Sequence, residues 1–107
     1  MDAAGETEVY TLLVEVGRRA GDGLPEGATG AALLCYAAAR DEAEAVRETV
    51  ALLRTAGMAP LSVEGLGSAA ERAAAGQPVT AEEERLMERA AAENAVVVAQ
   101  VTTFPSG

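Results

Sequence analysis

"AVVVAQV", residues 95–101, is the stretch on which the fold turns. It carries no charge and is apolar at odd and even positions alike, which suits a strand buried on both faces in the middle of a sheet. The question is which earlier strands it separates.

Working backwards, residues 58–67, "MAPLSVEGLG", alternate Leu61 and Val63 with Ser62 and Glu64. Pro60 lies near the start of this run, and proline cannot donate to a ladder, so the strand belongs at an edge. Residues 31–39, "AALLCYAAA", put Leu33, Cys35 and Ala37 on one face and Leu34, Tyr36 and Ala38 on the other. Bulk on both sides predicts an inner position. In residues 9–16, "VYTLLVEV", Tyr10, Leu12, Val14 and Val16 share one face, opposite the mixed set Val9, Thr11, Leu13 and Glu15. That is a half-buried strand.

Three helix starts are written in the same way. Asp41 with Glu44, Ser68 with Glu71 and Thr80 with Glu83 each pair an N-cap side chain with an acceptor three residues on. After Asp41, Ala43, Val46, Val50 and Leu53 keep helical spacing, and Gly57 marks a left-handed stop. The second helix is short and ends at Gly76. The third runs to about Glu93, with Leu86, Met87, Ala90 and Ala91 facing inward.

The order is strand, strand, helix, strand, helix, helix, strand. The middle strand–helix–strand unit calls for a parallel pair, and residues 95–101 placed between its strands would run antiparallel to both, as in a split β-α-β arrangement. The expected fold is an α+β two-layer sandwich with a four-stranded mixed sheet, order 1-2-4-3, and helices on one face. It resembles a ferredoxin-like sandwich with rearranged connections, a likeness of fold that leaves function open. One domain is expected over residues 9–104, between tails at 1–8 and 105–107.

Composition narrows the function classes. With eight arginines, no lysine and seventeen carboxylates, the formal charge is −9. That opposes a phosphate-tracking nucleic-acid surface and an anionic membrane. No apolar run approaches the roughly 20 residues of a membrane span, and the acidic start "MDAAGETE" is the reverse of a secretion signal. The expectation is a soluble, cytoplasmic, bacterial-type protein. The alanine and arginine bias fits a GC-rich genome.

Residues 17–30, "GRRAGDGLPEGATG", hold five glycines. A dinucleotide fingerprint needs its glycines between a strand and a helix, whereas these lie between two strands and lack a Walker lysine. The segment reads as a turn-forming connection in which Asp22, Leu24, Pro25 and Glu26 are candidates for touching a partner. Arg18 and Arg19, with Tyr36 and Glu15, are the candidate ligand-binding residues. Glu15 and Glu64 would border a polar pocket if both face an open side of the sheet; a solvated strand face is the simpler reading. The run Glu82–Glu84 is explained by the helix dipole, since successive helical residues cannot converge on one ion.

With no histidine and one thiol, zinc is disfavoured, and no metal or cofactor is implied. Cys35 reads as a small buried hydrophobe rather than a nucleophile, so no catalytic residue is assigned. Lacking histidine and lysine, an enzyme ranks last. First stands a protein-interaction or regulatory module, a homodimer joined through its sheet, with a basic protein as a further partner. Between them lies a small-ligand sensor with its pocket at the sheet face.

Overall fold

A computed structural model describes residues 7–105. Of the expected tails, residues 1–6 and 106–107 lie outside the described residues. Seven elements follow in the expected order: β1 (Glu8–Gly17), β2 (Ala28–Ala39), α1 (Glu42–Thr55), β3 (Ala59–Ser68), α2 (Ala69–Ala74), α3 (Ala81–Glu93) and β4 (Val96–Pro105). The class is α+β with one four-stranded sheet.

The sheet order is β3-β1-β2-β4, and every neighbouring pair is antiparallel. The expected order 1-2-4-3 and the mixed sheet are therefore both corrected. β2 and β3, joined through α1, do flank an antiparallel strand, but that strand is β1 and not β4. The cause is local. A ten-residue loop folds β1 back on β2, with Leu13 opposite Leu34 and Val14 opposite Leu33, so the slot beside β1 is the one that β3 completes. β4 follows α3 after a turn at Asn94, whose left-handed backbone (φ 49°) caps the helix. It is laid along the free side of β2.

Helices cover both faces, which corrects the expected single helical layer. Tyr10, Leu12, Val14 and Val16 of β1, with Leu33, Cys35 and Ala37 of β2, pack against Ala45 and Leu53 of α1. On the other face Tyr36 packs with Met87 and Ala90 of α3, beside Leu34, Val97 and Ala99. With helices on one face only, one side of β2 would stand open; instead Leu33, Cys35 and Ala37 have no exposure at all. Burial pushes the Cys35 thiol up to about 11, which keeps it protonated and unreactive at neutral pH.

The caps form as the sequence implies, with one adjustment. Ser68/Glu71 and Thr80/Glu83 are reciprocal capping boxes. Asp41 accepts from the Glu44 N–H at 2.8 Å, but the Glu44 carboxylate returns to the N–H of Arg40 instead of Asp41. Gly57 ends α1 with φ +88°, and the Gly21 carbonyl approaches so closely that a Cβ would lie 2.8 Å from it. The glycine-rich loop is thus seated on the end of α1.

The buried stripe of α1 is Ala45, Thr49 and Leu53, rotated from the expected Ala43–Val46–Val50–Leu53 set. Thr49 is fully buried and its hydroxyl has no hydrogen-bond partner among the described residues. An orphaned buried hydroxyl costs about 1–3 kcal/mol in lost hydration. Thr49→Val keeps the branched shape and removes the oxygen, so the domain gains about 1 kcal/mol, a rise of roughly 4–8 °C in Tm by calorimetry. An unchanged or lower Tm would show that the hydroxyl is satisfied in solution.

Candidate interaction surfaces

The two edges of the sheet differ in a way that bears on association. Along β3, Pro60, Glu64 and two register shifts against β1 interrupt the ladder. Proline, charge and bulges are the usual protections of an open edge. β4 also has two register shifts, against β2, and ends at Pro105, but it has none of the charge: "VVVAQVTTFP" contains no ionisable residue. Its Val96, Val98 and Val101 lie opposite Ala37, Cys35 and Leu33, on the face that carries α1. Yet α1 leaves Val98 38% and Val101 48% exposed, and Leu52 on the helix is 42% exposed. Leu52 and Val96 line one hollow together, with Glu48 and Asn94 beside them, and the exposed Val98 and Val101 continue the apolar surface along the edge strand.

The loop between β1 and β2 is closed by its own side chains. Asp22 is buried and accepts from the N–H groups of Leu24 (3.0 Å) and Arg19 (2.8 Å), which hold its carboxyl below the usual range. Arg18 lies 3.3 Å from Asp22 and donates through Nη1 to the carbonyls of Pro25 and Ala28, each at 2.7 Å. Its guanidinium is therefore bound to the loop itself. Arg19 and Glu26 are exposed, Leu24 is half-buried against the core, and Pro25 and Glu26 line a hollow with Phe104.

Tyr36 is placed elsewhere. It faces Thr11 near the start of β1, while Arg18 follows the strand's far end, seven residues or about 23 Å on. The Tyr36 hydroxyl donates to Glu83 Oε2 at 2.7 Å. The same carboxylate receives a fork from Arg72, Nη1 at 2.9 Å and Nη2 at 3.2 Å, and accepts the Thr80 N–H at 3.0 Å. Arg72 Nη1 also donates to the buried Thr11 hydroxyl at 3.2 Å. The junction ties α2 and α3 to β1 and β2. Arg72, helped by Tyr36 and Thr80 and opposed by burial, holds the Glu83 carboxyl down to about 2. Burial and the bond to Glu83 push the Tyr36 phenol up to about 12. Every polar group in this cluster has a partner, so its chemistry is that of a clamp. A hollow of about 240 Å³ beside it is lined by Tyr36, Leu86 and Gln100. Arg72 carries no local signal of this role in the sequence; the capping box at Glu83 is the only one that the junction has.

Glu15 and Glu64 do share a face. Glu15 lies opposite Ser62 and Glu64 opposite Leu13, and the four border a hollow of about 300 Å³ with Ala32 and Phe104, beyond the start of α3. No helical residue lines this hollow, whereas α1 covers the opposite face of the same strands. Among the described residues no group of three or more acidic or cysteine side chains is placed to hold a metal ion. No helix there is long and apolar enough to cross a membrane.

Fold and surfaces together define an α+β domain with an antiparallel sheet between α1 and the α2–α3 pair. Its one chargeless border is β4. Residues 9–105 match a family described as a domain of unknown function, DUF8846, and the chain belongs to that family. No curated protein and no solved structure matches it.

Proposed function

We propose that this domain is a protein-interaction module that acts as a homodimer, with the β4 strands of two copies paired antiparallel about a two-fold axis. The observation that carries the reading is a contrast of charge between the edges: β3 carries Glu64, whereas β4 offers ten uncharged residues, about 33 Å of strand. Two chains of charge −9 repel one another, and a surface without charge adds no close like-charge pairs to that repulsion. Such pairing would also lay the exposed Val98 and Val101 of each copy side by side.

The antiparallel direction supplies a second argument. α3 covers the first half of β4 at Val97 and Ala99, but Thr102 and Phe104 lie beyond its N-terminus. Pairing two such strands head to tail sets the uncovered half of one beside the covered half of the other. A two-fold axis normal to the sheet keeps equivalent faces together, so each α3 flanks the partner's Phe104. Sedimentation velocity from about 1 to 100 μM tests the reading. Twice the 10.8 kDa chain mass at the upper end supports it, and a monomer at every concentration contradicts it.

A further inference from the structure

Away from β4, a shallow groove of about 420 Å³ runs between α2, α3 and the first residues of β1. Its floor is apolar, formed chiefly by Val79, Met87 and Ala91. Its rim is Glu8, Glu84 and Glu88, all exposed. Among the described residues none of the three is ion-paired. Glu84 lies in the dipole-favoured first turn of α3, and Glu88, four residues on, places a second negative charge on the same side. Arginine pairs four carboxylates among the described residues, Asp22, Glu44, Glu83 and Glu93, and none of the four lies on this rim. Here an apolar floor is edged by unanswered negative charge.

Charge and shape choose the occupant. A second copy would bring two sets of three carboxylates together. Nucleic acid is excluded by the same sign of charge. A small molecule is held by a cavity that encloses most of it, and this groove is open along its length. An amphipathic helix needs only one apolar face covered, and can place cations at the groove's edges. We infer that the groove docks a basic amphipathic segment of another protein, its apolar side chains over Val79 and Met87 and its Lys or Arg side chains against Glu8, Glu84 and Glu88.

The test uses a fluorescent amphipathic peptide of Leu and Lys, about four helical turns long. A Ser/Lys peptide of equal charge and a Leu/Glu peptide of equal apolar face serve as controls. The Leu/Lys peptide is expected to bind and to shift the amides of Val9, Val79, Met87 and Ala91. E84Q/E88Q and Ala91→Arg, both changes at exposed positions, weaken it at least about tenfold. E26Q/E48Q removes as much charge elsewhere and leaves binding unchanged. Equal binding of the Ser/Lys peptide, or equal loss in E26Q/E48Q, would overturn the inference in favour of general attraction to an acidic protein. The same titration on V98E/V101E separates this groove from the dimer: unchanged affinity supports a groove complete in one copy, and lost affinity overturns it without touching the β4 proposal.

Discussion

Arg72→Leu lowers the stability of the domain by about 2–4 kcal/mol, the largest loss expected from a single side chain outside the apolar core. Three partners are affected at once. Glu83 is left half-buried without its cation, Thr11 becomes a buried hydroxyl with no donor, and α2 loses its polar tie to the sheet. The estimate is held below that for a fully buried pair because Arg72 and Glu83 retain 12% and 20% exposure. Denaturant unfolding measures the loss.

The pH profile identifies its origin. Glu83 is held down to about 2 against an ordinary 4.5. Its contribution is complete above pH 4.5 and disappears as pH falls toward 2, because the unfolded chain takes up the proton first. Removing Arg72 returns the Glu83 carboxyl toward its ordinary range, so the acid limb of the variant flattens. Tyr36 behaves in the opposite sense. Its phenol is raised from 10 to about 12, so its contribution is complete below pH 10 and is lost on the way to 12. Arg72 pulls that phenol down, so the alkaline limb persists or steepens in the variant. Parallel acid limbs in the two proteins would show that the fork contributes nothing.

V98E/V101E abolishes self-association at concentrations where the unaltered chain is a dimer. A two-fold contact carries each substitution twice, so four carboxylates enter a strand pair that had no charge. A rise of at least a hundredfold in the dimer Kd, about 2.7 kcal/mol, is the expected size. Both valines are more than a third exposed, so the monomer tolerates the change and keeps its circular dichroism and Tm. Glu64→Lys on the β3 edge is the matched control and leaves the dimer intact. Dissociation by the β3 variant and not the β4 variant would move the interface to the other edge.

The local structure was legible in the sequence because its signals are local. All three helix starts, the left-handed Gly57, the inner place of β2 and the edge place of β3 follow from side chains within a few residues. What misled was the inference from apolar pattern to sheet position. β4 is apolar on both faces although it lies at the rim: α3 covers Val97 and Ala99, while Val98 and Val101 on the α1 face are covered only in part. Conversely, β1 looked half-buried yet is central, since α2 and α3 stop short of Leu13 and Glu15. Two-sided greasiness measures what lies above and below a strand; it does not report what lies beside it. Arg72 and Glu83 are eleven residues apart on separate helices, so no periodicity linked them. Thr49, between Glu48 and Val50, gives no sign in the sequence of facing the core.

Residue-resolved amide exchange along Val96–Pro105, at high and at low protein concentration, tests the pairing of β4 most directly. Paired edges predict that the N–H groups pointing away from β2 are protected in the concentrated sample and become fast on dilution. Fast exchange of those amides at both concentrations, with the β2-facing set protected throughout, would contradict it.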